Sequence, residues 1–342
     1  MRRRLLAWYG LAPCPNWHFH PVPLLLKRGW LPNSSGMLLW TYRFSGLARS
    51  LDPKSTIVFT RQTKICRLVS QSPMLRRFTH VHEVHDLKDV SERGPDGVPG
   101  HWEYYEIGRA HGVVCVPAPC VEILRRRIAH ARPILWLPNG GTPDPDPWSD
   151  WEKREGVLYV GSLFPYEGFG TLLDVMQRLP EGRLTVVGGH PESALAAAKA
   201  RADEMGVADR VNFVGFVPPG RVREYLRRAL VVVAPLRDNP HNRWTMCPMK
   251  LIQYMGSGAA MVVPRFPTTE PLLAHPHEAL LVRPDDPAAL AAAVGRLLGE
   301  REWCRKMAEA ACRRALAYSW PARAQKLVRF FDAVIAQRAA RP

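Results

Sequence analysis

The 342 residues read as two doubly wound α/β domains in tandem. Three features carry that reading. In the second half, short β-branched runs alternate with Ala-, Leu- and Arg-rich segments of helical length, the pattern of parallel strands covered by helices on both faces. From Asn139 to Gly156 the pattern breaks, because three prolines and two glycines before Trp151 can continue neither a helix nor a central strand. Finally, Leu230–Leu236 (LVVVAPL), the polar loop RDNPHNRWTM and CPMKLIQYMGSGAAMVVP from Cys247 spell strand, loop, helix and strand in succession.

The first half offers strands at Leu5–Tyr9, Ile57–Thr60, Val81–His85, Gly112–Val116 and Ile134–Leu137, with a helix over Met37–Ser50. A Pro/His/Trp-rich segment fills much of the gap before Ile57, so this half is a compact version of the fold. In the second half strands are predicted from Val157, Leu184, Val211, Leu230, Ala259 and Ala279. Residues 286–318 read as one or two helices, and Trp320-Pro321 opens a last one, since proline suits a first helical turn. The expected organisation is a first domain over 1–140, a linker over 141–156, a second domain over 157–320 and a terminal helix over 321–342.

Composition limits the function. A hydrophobic fraction of 46% and a charged fraction of 23% describe a globular chain, and no apolar run approaches the length needed to span a bilayer. Met1-Arg-Arg-Arg before LLAWYGLAPC faintly resembles a secretion signal, but its apolar run is short and a buried first strand fits better. The net charge is +16, divided evenly as +8 in residues 1–150 and +8 in 151–342. A surplus spread in this way, without interleaved aromatics, argues against nucleic acid and suits phosphorylated substrates or peripheral contact with an anionic membrane. Arg125–Arg127 is the densest basic run and reads as a solvated helix face. Seven scattered cysteines with no CxxC predict a reduced, cytoplasmic protein.

The strand–loop–helix unit around Lys250 has a physical use. Loop amides and a helix start beyond a strand's carboxyl end attract anions, and a first-turn lysine adds a full charge for phosphate. An exposed lysine on a helix start is the plainer alternative.

Several stretches in order carry a family resemblance: HVHEVHDLKDV (80–90), GRAHGVVCVPAPCVEIL (108–124), LWLPNGG (135–141), VLYVGSLFPYEGFGTLL (157–173), VNFVGFVPPGRVREYL and PMKLIQYMGSGAAMVV. Together they resemble retaining, nucleotide-sugar-dependent glycosyltransferases of family 4 with the GT-B fold, two Rossmann-like domains facing across a cleft. The resemblance implies an acceptor domain first and a donor domain second, with the last helix returning to the first domain. It implies transfer of a hexose from a nucleoside diphosphate sugar, as co-substrate, to a hydroxyl of a glycan, glycolipid or small metabolite, with retention, no metal and no cofactor.

Residue by residue, Lys250 matches the lysine of the subgroup pattern S-P-x-K-x-x-E-Y-M, with Cys247 in place of serine, and His85 matches the histidine near the reacting sugar. Gly161 and Ser162 would bring backbone close to phosphate, and Met246 and Cys247 would add amides. Ser162 and Glu167 stand where the family often has an Arg or Ser and a Lys, so Glu167 replaces a cation by a carboxylate that would repel the diphosphate. Arg237 and Arg243, flanking the loop, are candidates to replace it, or are simply solvated. The family's E-x7-E pair appears as Thr245 and Gln253; the amide of Gln253 can still hold ribose hydroxyls, whereas Thr245 has no carboxylate for the sugar. Glu270, after a strand end, is a donor-sugar candidate. Asp86 either caps the next helix or lies on the acceptor side with Trp17 and His18 of the Trp17–His20 cluster, which serves equally well as packing. His80 and His82 share a strand face, but without a third ligand in register no metal is expected. The departures leave a rival reading, a chain that binds a nucleotide sugar or glycan without turnover. An epimerase on the same double fold resembles the helix around Gln253 less.

Overall fold

The computed structural model describes residues 44–96, 101–128 and 132–340. The proposed strand Leu5–Tyr9, the acceptor-side residues Trp17 and His18, and the start of the Met37–Ser50 helix lie outside the described residues; 44–49 is helical. The chain divides into two compact units. The first holds the described residues up to Asp89, Pro95–Leu137 and those from Gln325 onward; the second holds Val90–Gly94 and Pro138–Ala324.

The first unit is built on four parallel strands, β1 (Ile57–Thr60), β2 (Thr79–Val84), β3 (Gly112–Cys115) and β4 (Ile134–Trp136), in the order β1-β2-β3-β4. Its helices are α1 (Thr63–Gln71), α3 (His101–Gly108) and α4 (Ala118–Arg127), while α2 (Lys88–Arg93) begins in this unit and has Val90–Arg93 in the second. All six residues of β2 are buried, the mark of a central strand covered on both sides. The strand starts two residues before Val81 because Thr79 and His80 pair in register with Ile57 and Val58, and it stops before His85. Val81, Val114 and Leu137 pack with Val334 of the C-terminal helix.

Two expectations change here. Arg127 does not belong to a solvated face: it turns inward to Asp89 at 2.7 Å and to the hydroxyl of Tyr104 at 2.6 Å, leaving Arg125 and Arg126 outside with Glu122. A buried carboxylate demands a partner, and an arginine fork at a helix end supplies it. His80 and His82 also have a third metal-ligand type beside them, since Cys66 of α1 brings its thiol within 4.8 Å of both rings. The sulfur is 14 residues upstream of His80, out of reach for any spacing rule. Burial pushes His80 down to about 3 and His82 down to about 4, so both imidazoles are neutral.

The second unit has six parallel strands: β5 (Glu155–Gly161), β6 (Leu184–Gly188), β7 (Val211–Gly215), β8 (Ala229–Val233), β9 (Ala260–Pro264) and β10 (Leu280–Val282). Helices α5 (Phe169–Arg178), α6 (Glu192–Glu204), α7 (Val222–Arg228), α8 (Met249–Met255), α9 (Pro287–Gly299), α10 (Arg301–Leu316) and α11 (Trp320–Ala339) complete the chain. The order β10-β9-β8-β5-β6-β7 reverses between β5 and β8. That reversal splays the loops leaving these two strands apart and opens a crevice at their carboxyl ends, where sheets of this kind bind ligands.

β5 begins at Glu155, two residues before the apolar run, because Arg154 anchors it. This arginine is buried, and its two terminal nitrogens donate to the carbonyls of Pro147, Leu226, Ala229 and Ser257 at 2.8–3.0 Å. It thereby staples the Pro-rich 139–156 stretch to the sheet, and burial lowers its pKa to about 10 although the Asp144 carboxylate pulls it upward. Asp286 caps α9 by accepting from the amide of Ala289 at 2.9 Å, and α9 and α10 divide at Glu300.

Candidate functional site

The crevice between β5 and β8 is shaped by glycines. Gly161 ends β5 opposite Gly188, whose φ is +113°, and a Cβ on Gly188 would lie 2.2 Å from the Gly161 carbonyl oxygen. Gly168, with φ +72°, presses against β8's exit, where a Cβ would meet the Pro235 carbonyl oxygen at 1.9 Å. Only glycine permits both contacts. The turn carrying Glu167 is thus held over the exit of β8.

Lys250 comes to the same place from α8. The helix is fixed by Tyr254, whose buried hydroxyl accepts from the Val160 amide at 2.9 Å and donates to the Val160 carbonyl at 3.2 Å. One turn earlier, Lys250 Nζ lies over Gly161, 2.8 Å from where a Cβ would be, and 5.1 Å from the ring centroid of Tyr159. It donates to Glu167 Oε2 in an ion pair whose side chains are 14% and 12% exposed. Burial lowers the lysine's pKa from its ordinary value even though Glu167 pulls it the other way. α8 is only seven residues long, so the lysine, more than the helix dipole, supplies positive charge here.

The polar segment after β8 is not an irregular loop throughout. His241–Thr245 forms a π-helical turn. Asn242, fully buried, stitches it down: its side-chain amide donates to the carbonyls of Tyr166 and Arg237 at 2.9 and 2.7 Å, and its backbone amide donates to Asn239 Oδ1 at 2.8 Å. Thr245 is also fully buried, with its hydroxyl 3.0 Å from His241 Nδ1. Asn139 Nδ2 donates to the Cys247 carbonyl, and burial raises the Cys247 thiol. Met246 and Gln253 are half-buried, and Gln253 lies three residues beyond Lys250 on the same helix side.

The structure brings together Gly161, Ser162, Glu167 and Lys250 at one strand end, with Tyr159 Oη donating to the Ser162 carbonyl. It gives each remaining cation a carboxylate. Arg237 pairs with Asp285 at 2.8 Å, and Arg243 pairs with Asp238 and lies 5.8 Å from the Phe266 ring centroid. Glu270, 46% exposed, pairs with Arg265 at 2.7 Å. In the first unit His85 follows β2, and its Nε2 sits 2.5 Å from Glu83 Oε1, so a nearly buried carboxylate orients the imidazole. Asp86 beside it is exposed.

Residue reading missed Tyr159, Tyr254 and Asn242. A tyrosine inside an apolar strand or on a buried helix face is a usable signal, since its hydroxyl must find a partner. Nothing local marks the reach of Asn242 to Tyr166, which lies on another turn 76 residues away. Glu167, expected from its position to repel the diphosphate, has its carboxylate committed to Lys250.

Comparison with known proteins bears on this arrangement. Residues 154–300 match the family model described as glycosyl transferases group 1. The second unit carries a glycosyl transferase group 1 domain. D-inositol 3-phosphate glycosyltransferase of Corynebacterium urealyticum is 25% identical over 322 residues, covering 90% of this chain and 70% of that protein. The Nocardia farcinica protein of the same name is 27% identical over 188 residues, covering 52% of this chain and 40% of its own length. Among solved structures, sucrose-phosphate synthase from Thermosynechococcus elongatus superposes with a TM-score of 0.70 at 20% identity, covering 90% of this chain and 81% of that one. HepE from Anabaena, solved in complex with UDP and glucose, gives a TM-score of 0.71 at 15% identity, covering 96% and 88%. By fold the chain is GT-B, and its second unit carries the group 1 glycosyl transferase match.

Proposed function

We propose that the chain transfers a hexose from a nucleoside diphosphate sugar to a hydroxyl acceptor with retained configuration. The observation that carries this reading is the ammonium of Lys250 lying directly over Gly161 at the β5/β8 crevice, so close that a β-carbon there would come within 2.8 Å of it. Neighbours of the same fold solved with UDP support a nucleotide there and make UDP the first candidate. In the reaction, the bond from the anomeric carbon to the diphosphate oxygen breaks and the electron pair leaves with the diphosphate. The acceptor oxygen bonds to that carbon on the same face, and its proton passes to the departing phosphate. Lys250 stabilises the charge that develops, Gln253 holds ribose hydroxyls, and Gly161, Ser162, Met246 and Cys247 line the phosphates. His85, oriented by Glu83, is the first unit's group for hydrogen bonding a sugar hydroxyl. The relatives named for inositol phosphate, together with a net charge of +16, support a phosphorylated hydroxyl compound as acceptor.

A second reading, binding without turnover, is favoured by one observation: Lys250, Arg237 and Arg243 each already face a carboxylate. Calorimetric titration of UDP, GDP and ADP into the wild type and Lys250→Ala tests the site. One nucleotide should bind, and the variant should lose at least tenfold in affinity. No binding to any of them would overturn the donor-site assignment. Binding with no transfer from labelled UDP-sugars to inositol phosphates or a wider acceptor set would favour the second reading.

A further inference from the structure

A cluster in the first unit has no part in the donor chemistry. His80 and His82 lie two residues apart on β2, so their side chains leave the same face of the sheet. Thr60 of β1 is in register with His82 and places its Oγ1 2.8 Å from His80 Nε2 and 2.8 Å from His82 Nδ1. Cys66, one turn into α1, closes over the same face, and its sulfur and one nitrogen of each ring lie within 4.8 Å of one another. All four residues are buried: Cys66 has 0% exposure, His82 1%, His80 2% and Thr60 5%.

We propose that Cys66, His80 and His82 form a structural binding site for a zinc(II) ion, with the Thr60 hydroxyl or a water as fourth ligand. The donor set is a thiolate and two imidazoles, which suits a borderline-soft d¹⁰ cation and excludes calcium and magnesium, which take oxygen. The scaffold is rigid, because three of the four positions sit on paired strands. Binding needs only side-chain movement. Zinc takes nitrogen at about 2.0 Å and sulfur at about 2.3 Å, so ligand atoms must draw in by roughly 1 Å from their widest separation. The Thr60 hydroxyl marks the point on which both rings already converge. It has one hydrogen, so it donates to one imidazole and accepts from the other. A cation beside it would take a lone pair from each ring, the ring that now donates moving its proton to its other nitrogen, and the thiol proton would pass to solvent. The ion would tie α1 to β1 and β2, the strand that presents Glu83 and leads to His85. It would perform no chemistry, and the proposal does not depend on the donor-site reading.

The test uses tag-free, full-length protein stripped with a chelator and titrated with cobalt(II). One equivalent should produce the visible bands of tetrahedral cobalt and a thiolate-to-cobalt charge-transfer band in the near ultraviolet, and zinc should bleach both. Cys66→Ser should remove the charge-transfer band. His82→Asn should weaken cobalt affinity by more than about tenfold. Zinc should raise the melting temperature of the wild type and leave that of Cys66→Ser unchanged. Failure to bind at one equivalent, or a charge-transfer band that persists in Cys66→Ser, overturns the proposal. Should the variants not fold, X-ray absorption of the zinc-loaded wild type decides, since any shell other than one sulfur, two imidazoles and one oxygen refutes the site.

Discussion

Lys250 and Glu167 show how one pair sets both stability and binding. Two nearly buried charges in contact hold each other, and removing one leaves the other uncompensated. Glu167→Gln should therefore destabilise the ligand-free protein by about 3 kcal/mol while freeing the ammonium for phosphate. Thermal melts with and without UDP check both signs: the melting temperature falls without UDP, and UDP restores more of it than in the wild type. If UDP affinity is unchanged in this variant, the carboxylate does not compete with the diphosphate. The lysine also sets a pH dependence. Its folded pKa lies below 10.5 through burial, so in the interval between the folded and unfolded values the unfolded chain carries the extra proton. Stability from this group consequently rises with pH across that interval, whereas UDP affinity falls as the ammonium is lost. Calorimetry on the alkaline side should find UDP binding weakening at a pH below that of an ordinary lysine.

At the scale of elements, the site depends on how turns seat on strand ends. Gly168→Ala combines a left-handed φ with a contact to the Pro235 carbonyl that no β-carbon can keep. A loss of about 3 kcal/mol is expected, read as a lower urea midpoint, with UDP affinity reduced because Glu167 and the crevice move together. Tyr254→Phe leaves the Val160 amide without its acceptor and should cost about 1–2 kcal/mol. The same change loosens α8 against β5, so nucleotide affinity should fall although no charge is altered. The strands themselves were legible, since β-branched runs bounded by glycine and proline leave few alternatives. The π-turn at His241–Thr245 was not. Its cause is the reach of Asn242 to Tyr166, 76 residues away and outside any local window.

At the scale of the whole molecule, the last helix matters to the first unit. α11 begins at Trp320 in the second unit, and from Gln325 it belongs with the first, where Val334 and Phe330 approach Gly112 so closely that a Cβ would lie 2.6 and 3.2 Å from them. Phe331 meets Phe59 edge-on at 5.4 Å between ring centroids, and Arg338 donates to Thr79 Oγ1 at 3.2 Å. Deleting residues 325–342 should expose β2 and β3 to hydrogen exchange while β5 and β8 keep their protection. Equal loss in both sheets would contradict a role confined to the first unit. Among the described residues no helix is long and apolar enough to cross a membrane.

The amino-acid order alone determined the doubly wound architecture, the lysine at a strand–loop–helix unit and the family likeness, because these rest on periodicity and on residues close together in the chain. Tertiary structure decided which groups meet. Glu167 finds Lys250 from 83 residues away, Arg127 turns inward to Asp89, and Cys66 arrives beside His80 and His82. A sheet assembled from separate segments brings their strand ends and faces together. The chemistry of a charge, a thiol or an imidazole is settled by those neighbours, which no local spacing contains.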